Sequence, residues 1–272
     1  MRINTNVSAI NAQRNLFETN RSVDDSMRKL SSGLRIVKAG DDASGLVIAN
    51  RLRANTRSLG QAVKNAEQAN ARLSIAEGSA QTIQKILERQ RELVTQAKSA
   101  NYNGSEGSRK ALDDEFSALS AEVTRIIATT TYEGGPIFGA TAQTYQVSAS
   151  DDAADNLSFT INLAGAAITD TLFADVSADA GPAVDFEDVD TALDAVNETL
   201  ATIGAAQNRL EFTVSNLKVA VQNQEAAEST IRDLDRAEEM TRFTKNTILQ
   251  QAGTAMLAQA NQSAQGILQL LR

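Results

Sequence analysis

The chain has 272 residues and a formal net charge of −8, and aromatic side chains make up only 4% of it. It contains no Cys and no His, which excludes disulfides and thiolate nucleophiles and removes the commonest metal ligand and general base. No apolar run approaches the ~20 residues that span a bilayer, and the first residues do not have the pattern of a secretory signal peptide.

The first forty residues predict an amphipathic helix that ends at a break. Its apolar stripe consists of Ile3, Val7, Ile10 and Phe17. Gly33, Gly40 and Gly45 then interrupt the helical pattern and predict a non-helical spoke before the next helix. Either Asp41 or Asp42 is suited to cap the amino terminus of that next helix.

Three long stretches carry apolar residues at spacings of three and four, which is typical of helices packed in a coiled-coil-like way. The first contains Leu59, Val63, Ala66, Leu73, Ala76, Ala80, Ile83 and Leu87. The second contains Leu112, Phe116, Leu119, Val123 and Ile126, and the third contains Leu193, Val196, Leu200, Ile203, Leu210, Val214, Leu217 and Val221. A single helix over residues 187–234 would be about 70 Å long, so an elongated domain is predicted.

The segment from Gly134 to Val184 differs from the rest, because it holds both prolines and alternates like β-strands. One face of the clearest strand pattern is formed by Leu157, Phe159, Ile161 and Leu163. About fifty residues hold little core of their own, so one or two hairpins belonging to the helical bundle are predicted. All Lys and Arg lie outside residues 126–208, which indicates a solvated acidic surface and no nucleic-acid footprint.

The carboxyl-terminal residues carry a second apolar surface. It is formed by Leu249, Met256, Leu257, Ile267, Leu268, Leu270 and Leu271. Isolated helices are marginal in water, so both chain ends are predicted to need partners, and other copies of the chain are the simplest ones.

Segments near both ends resemble the signatures of the bacterial flagellin family. At the amino end these are LSSGLRI at 30–36 and DDASGLVIAN at 41–50, and at the carboxyl end ILQQAGTAMLAQANQ at 248–262 with LLR at 270–272. The stretch LERQREL at 87–93 is also similar. The resemblance covers roughly residues 1–133 and 187–272, and the chain resembles a minimal member that lacks the outer domains.

The resemblance implies a structural subunit that polymerises into the flagellar filament for motility, with no enzymatic activity and no cofactor or metal. The expected fold is mainly α, an elongated antiparallel coiled-coil-like bundle formed by both chain ends, with a small β-hairpin region. The expected domains are the inner-core helices 1–40 plus 235–272 and a helical bundle at 41–133 plus 185–234. Residues 134–184 would be a β-hairpin region of that bundle. The apolar residues of the two ends would then form the contacts between subunits in the filament core.

The same resemblance implies an extracellular protein, exported unfolded through the flagellar type III apparatus and never inserted in a membrane. Its implied partners are further copies of itself, a flagellar export chaperone, the filament cap and the hook-junction proteins. It also implies recognition by Toll-like receptor 5 through an exposed patch, onto which Arg89, Leu93 and Glu115 map. Glu88 departs from the Gln common at its position and adds a charge beside Arg89. The alternative interpretation of this patch is an ordinary solvated helix face.

Two other classes of function stay open at this point. A hook-filament junction protein shares the terminal helices but caps a ring, and a monomeric helical scaffold would not polymerise at all. Some flagellins carry a zinc-peptidase helix with the pattern His-Glu-x-x-His, which a chain without His does not contain.

Overall fold

A computed structural model of the chain describes residues 6–99, 106–149, 156–163 and 186–270, with the side chains of 106–108 and 263–270 left outside the description. The helices are α1 (Val7–Ser32), α2 (Ala43–Ala97), α3 (Glu106–Thr129), α4 (Phe186–Arg232) and α5 (Arg236–Leu270). The strands are β1 (Thr131–Tyr132), β2 (Gly135–Pro136), β3 (Gln143–Gln146) and β4 (Asn156–Phe159). None of the described helices has an apolar stretch long enough to cross a lipid bilayer.

The chain divides into two compact units. The terminal unit comprises Met1–Thr56 and Gln222–Arg272, and the bundle unit comprises Arg57–Val221. The terminal unit therefore includes the first turns of α2 and the last turns of α4, in addition to the two terminal helices. The finer division at residues 40 and 235 stays a prediction.

Helix α1 begins and ends at residues suited to those positions. The side-chain oxygen of Asn6 accepts a hydrogen bond of 3.1 Å from the Ala9 amide, which satisfies one of the free N–H groups of the first turn. At the other end Gly33 adopts the left-handed conformation with φ +70°, and its amide donates to the carbonyl oxygen of Lys29. Gly33 thus stops the helix, as predicted from its position after the amphipathic stretch.

Helices α1 and α5 pack along each other and bring the two chain ends together. They lie close together at Gly253, where a Cβ atom would lie 3.2 Å from Cδ1 of Leu16. Few of the described side chains in the terminal unit are buried. Its buried apolar residues are Val23, Ile36 and Ala49, joined by the polar side chains of Ser26 and Glu239.

The breaks between α1 and α2 and between α4 and α5 are hydrogen-bonded to each other. We call residues 33–35 and 231–234, which form this contact, the strap. Leu34 and Asp233 form an antiparallel bridge; the Arg35 amide donates to Arg232 O at 2.7 Å, and the Leu234 amide donates to Gly33 O at 3.1 Å. The Arg35 guanidinium adds a bond to the carbonyl oxygen of Ile231.

The bundle unit is built from the three apolar seams, as the periodicity predicted. All the residues of the three seams are buried or pack against the buried core. Buried polar side chains lie among them: the amide of Gln90 donates to Ser120 Oγ at 2.8 Å and to Phe116 O at 3.3 Å. This pair of bonds joins α2 to α3 in a single register.

The β region is small and antiparallel. β1 pairs with β2 across a turn at Glu133 and Gly134, both with positive φ, and β3 pairs with β4. Leu157, Phe159, Ile161 and Leu163 are all buried, as their alternation predicted, but only Leu157 and Phe159 lie in a strand, because β4 ends at Phe159. The part of the region at residues 150–155 and 164–184 lies outside the described residues.

Candidate functional site

The terminal unit displays large apolar side chains that its own helices do not cover. On α1 these are Val7, Ile10 and Phe17, exposed by 58%, 54% and 62%. On α5 Leu249 is exposed by 48% and Met256 by 63%, and Leu257 is half-buried. Ile3 and Leu271 lie outside the described residues, as do the side chains of Ile267, Leu268 and Leu270.

The exposed stripe of α1 lies outside the face that contacts α5, and Val7 lies opposite that face. Because a residue turns the helix by ~100°, Val7 lies about half a turn around the axis from Leu16, which approaches Gly253 of α5. The buried Val23 lies seven residues after Leu16 and so shares its face. Helix α1 therefore uses one face within the chain and leaves a second apolar face for contacts elsewhere.

The terminal unit exposes further apolar side chains that were not predicted as contact residues. They are Met27, Val37, Val47, Ile48, Met240 and Ile248. Val47 and Ile48 directly precede the buried Ala49. Because successive residues of a helix point in different directions, the helical period alone predicts that these two side chains point away from the core.

The two carboxylates predicted to cap α2 have different roles. Asp42 is the capping residue, because its Oδ1 accepts a bond of 2.8 Å from the Gly45 amide and a second from Ser44 Oγ. Asp41 closes the preceding loop, where its Oδ2 accepts bonds of 3.0 Å from the amides of Val37 and Lys38. The bond from Gly45 lowers the pKa of Asp42, and the bond from Lys38 lowers the pKa of Asp41.

Two of the predicted spoke glycines lie in different surroundings. Gly45 lies inside the first turn of α2 rather than in the break, and a Cβ there would clash with the Asp42 carboxylate and come within 2.9 Å of Ile36 Cδ1. A Cβ at Gly40 would meet nothing within 4 Å. The expectation that Gly45 interrupts the helix is therefore wrong, since its role is to let the cap and Ile36 pack closely.

A cleft of about 560 Å³ lies beside this cap in the terminal unit. Acidic side chains such as Asp233 and Glu238 share its walls with the basic residues Lys29, Arg35 and Arg242. Among the described residues, no group of three Asp or Glu side chains is placed to hold a metal ion.

The predicted receptor patch is only partly at the surface. The Arg89 guanidinium donates hydrogen bonds to Glu92 and to Glu115 of α3. Both bonds raise the pKa of Arg89, and the bond to Glu92 has the larger effect. The side chains of Arg89 and Glu115 are exposed by 48% and 43%. Leu93 is 1% exposed and belongs to the bundle core, so its assignment to an exposed patch is corrected.

Comparisons with known families match nearly the whole chain. Residues 3–143 match the family model described as the bacterial flagellin N-terminal helical region, and residues 186–271 match the flagellin C-terminal helical region. The two matched stretches together contain the five described helices and the β1–β2 hairpin, but not β4 or most of β3.

Individual relatives are similar over their full length. The chain is 40% identical to flagellin from Halalkalibacterium halodurans and 39% identical to flagellin from Bacillus subtilis, each over 100% of both chains. It is 39% identical to the flagellar filament 33 kDa core protein of Treponema phagedenis, again over 100% of both. The crystal structure of Bacillus cereus flagellin superposes with a TM-score of 0.50 at 25% identity, covering 57% of this chain and 88% of that one.

Proposed function

This chain belongs to the bacterial flagellin family, and we propose that it polymerises through the apolar stripes that α1 and α5 leave exposed. Polymerisation into the flagellar filament is the function of the family to which it belongs, and the relatives named above are flagellins or filament core proteins. None of those names describes a hook-filament junction protein, so no observation favours that alternative.

The observation that supports these contact residues is the exposure of the two terminal stripes. Removing a Leu, Met or Phe side chain fully from water contributes about 1.5–3 kcal/mol, and Phe17 and Met256 each expose more than half of theirs. The described core of the terminal unit is too small to offset the ordering of two long helices. Neighbouring copies would supply the missing burial.

A helical polymer needs contacts of a particular kind. Growth without closure requires that one patch of a subunit meets a different patch of the next, because a patch that meets its own copy closes into a pair. The stripe of Val7, Ile10 and Phe17 on α1 and the one containing Leu249 and Met256 on α5 are two such patches on one subunit. The side chains of Ile3, Ile267, Leu268, Leu270 and Leu271 would extend them.

The remaining parts of the proposal come from the family. The inner-core domain would comprise residues 1–40 plus 235–272, and the subunit would leave the cell unfolded through the type III apparatus. An export chaperone would hold it beforehand, and the filament cap and hook-junction proteins would meet it outside. The polymer itself would carry no catalytic activity.

Recognition by Toll-like receptor 5 is proposed for Arg89 and Glu115. Both side chains are exposed, and an Arg guanidinium can make a planar contact with several donors at once. Because Arg89 already bonds to Glu115 and Glu92, a receptor would have to compete with or extend these bonds. The adjacent Glu88 adds negative charge that also faces solvent.

Growth of filaments from purified subunits tests the main proposal. Phe17→Ser combined with Met256→Ser removes one side chain from each stripe, and we expect seeded growth to fail at concentrations where the unaltered chain polymerises. Glu18→Ser is the matched control, since Glu18 is an exposed neighbour of Phe17 on the same helix. If electron microscopy shows filaments of normal length from the double variant, the proposal that these residues form the contacts between subunits is wrong.

A further inference from the structure

A fully buried polar pair lies between helices α2 and α3. Gln90 and Ser120 are both 0% exposed. Gln90 lies in the apolar seam of α2, three residues after Leu87 and four before Val94, which are also buried. The helical period therefore predicts an apolar side chain at the position that Gln90 occupies.

The pair leaves one polar atom of Gln90 without a partner. Its Nε2 donates both to Ser120 and to Phe116, but its Oε1 is buried and accepts no hydrogen bond among the described residues. A buried acceptor without a partner costs free energy, because it has lost its bonds to water. An apolar side chain at this position would make the seam more stable.

The apolar residues of α3 do not determine by themselves how α3 lies along α2. The seam of α3 has the same character seven residues further on, where Leu112, Phe116 and Leu119 are followed by Leu119, Val123 and Ile126. A slip of α3 by seven residues, which is ~10 Å, would keep apolar side chains against α2. The connection between the helices, residues 98–105, spans up to ~26 Å when extended and so permits this slip.

The charged pair at the surface does not select the register either. Arg89 Nε donates to Glu115 Oε1 at 3.0 Å. Glu122 follows Glu115 by seven residues, so the same slip would bring a second carboxylate to the place of the first. Arg89 would therefore find an acidic partner in both registers.

The buried position is where the two registers differ. In the slipped register Ile127 would replace Ser120 opposite Gln90, and its side chain offers no hydrogen-bonding group. The amide would then lose its 2.8 Å bond to the Ser120 hydroxyl while staying buried. We propose that Gln90 and Ser120 fix the register between α2 and α3, and that the bundle unit is less stable as a result. A single polar residue in an apolar seam has this effect in coiled coils.

The register of α3 also positions the residues that follow it. Thr130, directly after α3, donates from its hydroxyl to Ser79 Oγ at 3.3 Å, and Arg72 donates to Pro136 O of β2 at 2.8 Å. Neither contact is fully buried, so each contributes less to the choice of register than the buried pair. Gln90 is thus a positioning residue, which acts on Glu115 and on the β1–β2 hairpin through the placement of α3.

Gln90→Met tests the cost in stability, because Met has the length of Gln without its amide. The Ser120 hydroxyl keeps its bond of 3.0 Å to Phe116 O, so the change leaves that hydroxyl paired. We expect the equilibrium constant for unfolding, measured in urea by circular dichroism, to fall about tenfold. Gln81→Met is the matched control, since Gln81 is exposed on the same helix and the change should have little effect there.

Two outcomes of this measurement would overturn the inference. In the first, Gln90→Met is no more stable than the unaltered chain, which would show that the buried amide costs nothing. In the second, Gln81→Met gains as much stability as Gln90→Met, which would assign the gain to Met in the helix and not to the buried position.

Chemical cross-linking tests the register itself, because the chain has no cysteine of its own. Arg89→Cys with Glu115→Cys reports the observed register, and Arg89→Cys with Glu122→Cys reports the register slipped by seven residues. A bifunctional thiol reagent shorter than ~10 Å distinguishes the two pairs. We expect the first pair alone to react when Gln90 is present. Adding Gln90→Met should raise the yield from the second pair at least about tenfold.

Ser79→Ala is the control for the cross-linking, because it removes the contact with Thr130 and keeps the buried pair. It should leave the second pair unreactive. An equal yield from the second pair with and without Gln90→Met would overturn the inference, as would an equal gain from Ser79→Ala. A first pair that fails to react in the presence of Gln90 would also overturn it. Whether the chain forms filaments is measured separately, so the proposed function and this inference fail independently.

Discussion

The side-chain amide of Asn6 donates a hydrogen bond of 2.9 Å to the carbonyl oxygen of Ala260, across 254 positions of sequence. A second polar bond joins Gln250 of α5 to Asn20 of α1, also at 2.9 Å. Neither bond is fully buried, and a partly solvated hydrogen bond contributes only about 0.5–1.5 kcal/mol. These two weak polar contacts add to the packing of α1 along α5 that joins the two ends of the chain.

Limited proteolysis of the monomer should therefore remove both ends and leave a fragment centred on the bundle unit. The reason is the thin core of the terminal unit, whose opening should cost little free energy. In filaments the same cleavage sites should be protected, because neighbouring copies cover the stripes. Mass spectrometry of the fragments at matched protease concentration measures this, and ends that resist equally in both forms would contradict the prediction.

Gly45→Ala should destabilise the terminal unit by about 1–3 kcal/mol, because the added methyl group overlaps the Asp42 carboxylate and Ile36. Gly40→Ala is the matched control, since its Cβ meets nothing within 4 Å and no cost is expected. Urea unfolding followed by circular dichroism compares the two. Equal midpoints for both variants would show that the close packing at Gly45 is not required.

The cap of α2 should weaken in acid. The pKa of Asp42 is lowered in the folded chain, so its contribution is fully present above the ordinary Asp value of about 3.9 and is lost as pH falls through the lowered value. Asp42→Asn keeps an acceptor for the Gly45 amide and removes the titration. The protection factor of the Gly45 amide, which corrects its exchange rate for the intrinsic dependence on pH, is measured by NMR from pH 5 downward. It should fall below the ordinary pKa in the unaltered chain only. The same fall in the Asn variant would assign the effect to another group.

Arg89→Ala should reduce signalling through Toll-like receptor 5 by at least about tenfold when monomers are applied to reporter cells, as expected for a central Arg contact. Arg125→Ala is the control, because Arg125 forms a similar exposed pair with Glu122 three residues earlier in the same helix. Filaments should signal less than monomers if neighbours cover the patch. A silent monomer, or a variant as active as the unaltered chain, would show that the resemblance does not extend to this receptor.

The helical seams were predictable because the period of apolar residues directly reports which side of a helix is buried. Leu87, Phe116 and Leu210 are buried where that period places them. The burial of Leu157, Phe159, Ile161 and Leu163 followed from the same reasoning with a period of two, although the strand itself ends at Phe159.

Other features depend on contacts that no local pattern encodes. Asp41 and Asp42 have the same chemistry, and only the path of the loop decides that Asp42 reaches the Gly45 amide. Leu93 was assigned to the surface by resemblance, but it is buried within the bundle unit. The strap could not be foreseen either, since it consists of backbone bonds between segments almost two hundred residues apart.

The strap has a mechanical consequence. Because Gly33 and Arg35 are bonded to Leu234 and Arg232, tension along α1 is shared with the carboxyl-terminal half of the chain instead of passing into α2 alone. A change in the angle between α1 and α2 must then be matched by a change between α4 and α5, or these bonds break. The two bends act as one joint, so the two terminal helices should tilt together when the subunit is loaded.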